Sequence, residues 1–452
     1  MTLLFEGRLT LDQMSSHIPF RFELPEGVGT LRIDFSHTPH HPGVGDIPHQ
    51  LSISVYGPNG ARGTRHNNAD QSPVISTRHA SPGYLPGPIE PGEWCVEIDC
   101  HRILPPGGVS YRLAIDWQDQ ETEPPTAEPL PSAAPRRRGK GWYRGDLHGH
   151  TLHSDGRMSI AEYLAYAQER GLDFVALTDH NTVSAISELE RLAGEGITIL
   201  PGTELTTYHG HALVLGSRQW QEWRVKDGST MSAIADAASE QGQLFVIAHP
   251  QHEGHPFCTG CHWAWADMMP GPARHVEVWN GPRDNGDHND RSLALFYHFL
   301  NQGYRMIATS GTDTHRRAAP EHRIPVLMVE AEDNTVSALL SAIRRGRSYI
   351  TGGPLLEVGA TDESGRRIEM GETAEPGQLS LSCRWTADDG TLTARLIRRG
   401  DVMETATATG ELTVETEARS NDWFVIELRD ALARLHAVTN PIFLGGDGAV
   451  WY

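Results

Sequence analysis

Alternating apolar and polar positions fill the first part of the chain. LRIDF, LSISVYG, EWCVEID and SYRLAIDW are each of strand length, and clusters of Gly, Pro and Asn separate them. A period of two turns one face of each segment toward a core and the other toward water, so residues 1–118 are expected to form a small β-sandwich. The pattern then lapses. QDQETEPPTAEPLPSAAPRRRGKG has no hydrophobic period, and its Pro, Ala and charged residues make 119–140 a linker, with RRRGK as part of its solvated surface.

From 141 to 353, strand-length apolar runs alternate with helical patterns. Ser159 and Glu162 form a capping-box pair, Ile160, Leu164 and Ala167 share a face, and Gly171 stops the helix. DFVALTDH follows, then GITILPGTE, a helix near 230–241 ending at Gly242, then QLFVIAHP, HVEVWNG and RMIATSGTDTH. Strand and helix in alternation, without hairpin signals, predict parallel strands joined by helical crossovers and an α/β fold class. After Gly353, LSLSCRWTA, TLTARLIRRG, ELTVETEA and DWFVIELRD return to short strands, so 354–452 is expected to be a second β-rich region.

The apolar runs of the central region end in ionisable or amide side chains: Asp179 and His180, Glu204, His249, Glu277 and Asn280, Asp313 and His315. A parallel β/α barrel collects the C-terminal ends of its strands around one mouth, so residues distant in sequence would share one pocket.

Composition narrows the class. A chain of 452 residues exceeds one ordinary core, and 38% apolar with 21% charged residues suits a water-soluble protein without an 18-residue apolar span. MTLLFEGRLTLDQ has no basic segment followed by an apolar stretch, so cytoplasmic localisation is expected. The formal charge of −20 opposes long nucleic acids as partners and leaves a small-molecule substrate as the expected one. Oligomeric state is not set by these features. Five cysteines make no disulfide framework.

GDLHGHTLHSDG, residues 145–156, is the densest chemistry in the chain. On a strand, His148 and His150 point to one side and can present two imidazoles to one ion. His153 and Asp155 fall on the following turn, where His153 reads as a hydrogen-bonded turn residue.

With LTDHN, PGTELTTYHGHALVLG, AHP, EVWNG and GTDTH, this stretch makes six ordered segments that resemble the PHP (polymerase and histidinol phosphatase) superfamily, in particular its carbaryl-hydrolase-like branch. The resemblance implies a distorted (β/α)7 TIM-like barrel and two or three divalent ions. One would be held by His148, His150, Glu204 and Asp313. A second would share Glu204 and add His211 and His249, and a third would take Asp155, His180 and His315. His211 is preferred to His209, which lies two residues earlier on the same strand face. Imidazoles and carboxylates without thiolate suit Zn, Mn or Fe.

Coordination lowers the pKa of water toward about 7, so water is the expected nucleophile, with Glu204, Asp313 and His249 as catalytic residues. Asp146 and Asp179 are candidates to accept an N–H from a ligand histidine. Glu277 and Asn280 are candidates to orient ligands or substrate, and Trp263 and Trp265 to form an apolar wall. CTGCH at 258–262 has the spacing of a haem attachment or half a zinc site, and is read as a loop over the pocket. His37, His40 and His41 read as loop residues.

A metal-dependent hydrolase of small esters follows, phosphoesters first. The superfamily's phosphatases often carry an arginine after AHP, where this chain has AHPQHEGHP. Arg144, Arg316 or Arg317 would then have to grip phosphate. A carboxyl ester, amide or carbamate substrate is the alternative, and a metal-binding module without turnover is the second.

Overall fold

The computed structural model describes residues 2–43, 47–67, 69–122, 137–192, 196–225, 229–282, 287–319, 323–387, 391–407 and 410–445. Most of the expected linker, 123–136, therefore lies outside the described residues. The N-terminal alternation produces two antiparallel sheets. Thr2–Leu9, Val109–Gln118, Thr30–Thr38 and Val74–Ser76 form one, and Ser16–Leu24, Gly92–Arg102, Gln50–Gly57 and Gly60–Thr64 form the other. Leu31, Phe35, Val55, Ile98 and Leu113 are buried between them.

The central region begins with β1 (Gly141–Asp146), α1 (Ile160–Glu169), β2 (Phe174–Leu177), α2 (Ser184–Leu192) and β3 (Thr198–Thr207). β4 (Gly210–Leu215), α3 (Met231–Glu240), β5 (Leu244–Ile247), β6 (His275–Asn280), α4 (His288–Asn301) and β7 (Ile307–Gly311) follow. The capping box at α1 forms as expected: Glu162 N donates to Ser159 Oγ at 3.2 Å, and Ser159 N donates to the Glu162 carboxylate at 2.9 Å. Gly171 then turns the chain at φ +66°.

β1 to β7 lie in chain order across one sheet. Beyond β7, the chain meets the segment that follows β1. Asp313 N donates to His148 O at 3.0 Å, His150 N donates to Thr314 O at 2.9 Å, and Gly149 bridges Thr314 in parallel. The seven-strand run thus curls back on itself at its C-terminal edge. The result is a mixed α/β architecture with abundant sheet.

Parallel pairing throughout was expected, and β4 corrects this. β4 is antiparallel to both β3 and β5. Tyr208 and His209 form the turn of a tight hairpin, clasped by Thr207 Oγ1 donating to Gly210 O at 2.6 Å. No Asn-Gly or Asp-Gly pair marks that turn, so TELTTYHGHALVLG read as one continuous run.

The C-terminal strands extend the same sheet. β8 (Val326–Ala331) pairs antiparallel with β1, and β9 (Ser348–Thr351) pairs with β8 and with Leu435–Thr439. Leu164, Tyr349, Leu396 and Ile426 share one core cluster, so burial is continuous from α1 into the C-terminal strands. Among the described residues, no helix is long and apolar enough to cross a membrane.

Candidate metal centre

Glu204 organises the site. β3 pairs with β2 through its first half and with β4 through its second, which carries Glu204 past the end of β2 into the middle of the curled sheet. There the fully buried carboxylate is ringed by imidazoles. Oε2 lies 3.1 Å from His148 Nε2, 3.3 Å from His150 Nε2 and 3.0 Å from His180 Nδ1. Oε1 lies 3.0 Å from His211 Nδ1 and 3.0 Å from His249 Nε2.

Asp313 Oδ1 adds contacts of 2.9 Å to His150 and 3.5 Å to His148. Asp155 Oδ1 sits 3.4 Å from His180 and 3.1 Å from His315. All nine ligand candidates therefore converge. His148, His150, Glu204 and Asp313 form one close group, and Asp155, His180, His315 and His150 form another.

Strand register decides between His211 and His209. His211 stands opposite Thr206 across the β3–β4 pair, and Thr206 shares a face with Glu204 two residues before it. His209 occupies the turn, exposed, with its ring against Trp265. Its placement on the strand face beside His211 is thereby corrected.

Several outer contacts hold the imidazoles. Glu277 Oε1 lies 3.2 Å from His148 Nδ1, and Glu277 Oε2 accepts from His249 N and from Asn280 Nδ2, both at 3.0 Å. Cys258 and Cys261 are joined as a disulfide. Within the loop they close, the carbonyls of Thr259 and Cys261 lie 3.1 Å from His211 Nε2 and 3.2 Å from His249 Nδ1. His249 and Asp313 both take left-handed backbone angles, φ +28° and +49°. Such angles cost roughly 1–3 kcal/mol at a non-glycine residue and cluster at functional sites.

Burial disfavours charge throughout this centre, and mutual attraction overrides it at most positions. Asp313, Glu204 and Glu277 hold the His148 imidazole well above its ordinary range against the effect of its burial. Glu204 and Asp155 do the same for His180. Burial would raise Glu204, yet His148 and His180 keep it well below the usual carboxylate range. His150 goes the other way, lowered to about 4 by its burial and by His180 and His315.

Divalent cations fit this donor set. His148 Nε2, Glu204 Oε2 and Asp155 Oδ1 are buried without hydrogen-bond partners. A cation would satisfy all three with the N and O donors that Zn, Mn and Fe accept.

The site opens into a cavity of about 990 Å³, whose walls include Asp155, Asp313 and His315 together with Arg65, Arg157, Arg316 and Arg317. Of the residues expected to contact substrate, Arg316 lines this cavity. Arg144, Asn280 and Trp263 do not line this cavity. Arg144 is the fourth of the six residues of β1, opposite Met328 and two residues before the strand ends at Asp146. Asn280 instead holds Glu277. Trp263 is packed in the core with Nε1 donating to Met268 O at 2.9 Å, because its ring lies beneath the loop against Gly210. Trp265 donates to Thr207 Oγ1 and lines a different cavity.

Neither Asp146 nor Asp179 accepts from a ligand imidazole. Asp146 accepts from the backbone N–H groups of His148 and Thr312, and Asp179 from Thr151 and Ser154. These are strand-end ties. His153 faces away from the cluster, toward Ser184 at 2.7 Å and Glu188 at 3.2 Å. His37 lies in the strand Thr30–Thr38 and not in a loop, while His40 does lie in the loop that follows; both approach Asp70.

Comparison with known proteins agrees with this geometry. Residues 146–300 match the family model of the PHP domain. That PHP segment contains seven of the nine convergent ligand candidates, and Asp313 and His315 lie just beyond it. An uncharacterized protein of Methanocaldococcus jannaschii is 28% identical over 162 residues, 33% of this chain and 89% of that one. A 5′-3′ exoribonuclease of Haemophilus influenzae is 41% identical over 63 residues, 14% of this chain and 23% of that one. Among solved structures, a two-domain Bacteroides vulgatus protein containing a predicted PHP-like metal-dependent phosphoesterase has a TM-score of 0.40 and 15% identity. The likeness covers 71% of this chain and all of that one.

Sequence reasoning missed Arg65 and its neighbours His66 and Asn67 in this setting. RHNN carries no motif, and only the packing of the N-terminal sheets brings it to the PHP segment.

Proposed function

We propose that this protein is a metal-dependent hydrolase of small anionic esters, with phosphoesters ahead of carboxyl esters, amides and carbamates. One observation carries the choice: Arg65, Arg157, Arg316 and Arg317 surround the cavity into which Asp155, Asp313 and His315 open. Among the described residues, only Arg317 of the four is paired with a carboxylate, that of Glu169. Arginine side chains lining a cavity can supply the planar, bidentate grip that phosphate oxygens favour. They stand in for the arginine absent after AHP. Trp263 and Trp265, the aromatic wall expected for a neutral carbamate, do not line this cavity; its apolar residues include Leu152, Tyr166 and Ile324 instead.

In this reading the curled sheet is the distorted seven-stranded barrel, residues 1–118 and 354–452 are its flanking β-rich domains, and 141–353 is the catalytic domain. Divalent ions held by the nine ligand candidates would supply Lewis acidity and lower the pKa of water toward about 7. Glu204 joins two of the sites. Glu277 fixes the His148 tautomer, and the Thr259 and Cys261 carbonyls do so for His211 and His249. Arg157 and Arg316 orient the substrate anion over Asp313 and His315. The acidic overall charge favours a small substrate over long nucleic acid, and cytoplasmic action is part of the proposal.

The test is a parallel assay of Mn- and Zn-loaded protein on bis-p-nitrophenyl phosphate, p-nitrophenyl phosphate and 1-naphthyl N-methylcarbamate. Turnover of a phosphate ester above the carbamate is expected. Carbamate turnover alone would replace the phosphoester reading, and absence of turnover on all three would leave a metal-binding module.

A further inference from the structure

We propose that the N-terminal β region supplies part of the substrate site, with Arg65 and His66 contacting an oxyanion of the substrate; this rests on the hydrolase reading above. The strand Gly60–Thr64 leads directly into these residues. Arg65 lines the same cavity as Asp155, Asp313 and His315, and its Nε donates to Ser154 O at 3.2 Å, one residue before Asp155. A guanidinium anchored through Nε keeps its two terminal nitrogens for a ligand, and those are the pair that grip an oxyanion side by side.

His66 goes deeper. It is 7% exposed, and its ring centre lies 4.8 Å from that of His180. The Gln50 side-chain amide holds Nε2 at 2.6 Å, while Nδ1 is buried without a partner. Leaving a buried polar nitrogen unmatched is costly, so the position makes sense if a bound molecule supplies the partner. Gln50 fixes the ring, which lies against the His180 ring and close enough to Asp155, His211 and Glu204 to feel their charge.

The contact between regions is specifically built. Gly83 N donates to Ser184 Oγ at 3.0 Å, and Thr182 Oγ1 donates to Gly83 O at 2.8 Å. Both Thr182 and Ser184 follow the ligand candidate His180 on the chain. The N-terminal region is thus seated on the loops that carry the ligands; from outside the PHP segment, Arg65 lines the cavity and His66 lies against the His180 ring.

The experiment uses the full metal-loaded chain and the variants Arg65→Ala, Arg65→Lys and His66→Phe. Inorganic phosphate binding is measured by calorimetry, metal content by elemental analysis, and kcat and KM on the phosphate ester the parent turns over best. Expected are unchanged metal content in all three, phosphate affinity lowered tenfold or more in Arg65→Ala and partly restored in Arg65→Lys, and kcat/KM lowered tenfold or more in His66→Phe. Parental phosphate binding and kinetics in both Arg65→Ala and His66→Phe would overturn the proposal. Loss of metal in His66→Phe would overturn it for that residue, by making His66 a ligand instead. If the parent turns over no ester yet Arg65→Ala loses phosphate affinity, the hydrolase reading fails and the oxyanion site stands.

Discussion

Glu277 Oε1 stands 3.2 Å from His148 Nδ1, while the opposite ring nitrogen of His148 faces Glu204 Oε2 at 3.1 Å. One buried imidazole is thus gripped by two carboxylates from β6 and β3. The outer one orients the ring, and the inner one would share its metal. Losing such an outer partner typically costs 10- to 100-fold in metal affinity or activity. Glu277→Ala should therefore lower both within that range, with Glu277→Gln intermediate, as read by metal titration and steady-state kinetics.

Glu204→Gln removes the charge that five imidazoles face. Activity should vanish and metal content fall together, because the carboxylate is proposed to join two sites. Full activity with parental metal content would exclude that bridging role.

Metal uptake should depend on pH with a definite sign. In the metal-free protein His148 and His180 are held above the ordinary imidazole range, and His315 is pushed up to about 9 by Asp155 against its burial. These rings therefore keep their protons at neutral pH and must release them to bind a cation. Apparent affinity should rise with pH from 6 through about 9. Calorimetry in buffers of different ionisation enthalpy would count the protons, and pH-independent affinity would contradict the assignment.

The Cys258–Cys261 loop should matter through its backbone. Gly260 has φ +77°, and a Cβ there would lie 2.0 Å from Thr207 O and 3.0 Å from His211 Nε2. Gly260→Ala must move the loop, taking the Thr259 carbonyl off His211. A destabilisation of roughly 1–3 kcal/mol is expected from the backbone angle alone, together with weaker metal binding, in thermal melts and metal titration.

His153 provides the control within the richest stretch of ligands. Its ring faces Ser184 and Glu188, so His153→Gln should keep the parental metal content. Loss of an ion in that variant would return His153 to the metal centre.

The sequence by itself determined the alternation of strand and helix between 141 and 353, the capping of α1, and the chemical identity of the ligand candidates. Each of these depends on local periodicity, or on which side chains can donate to a cation. Tertiary structure decided what local signals leave open. The β3–β4 hairpin put His211 on the face of Glu204 and His209 in the turn, because register is a property of two strands. Glu277, drawn from β6, took the orienting place for which Asp146 and Asp179 were candidates, while those two tie strand ends. Arg144 stayed within β1, short of the ligands, and Trp263 was packed into the core, so neither lines the cavity. Arg65 entered it, with His66 close to His180, from about 80 residues before the first ligand, a distance over which no sequence pattern carries, since contact there comes only from how separate sheets pack.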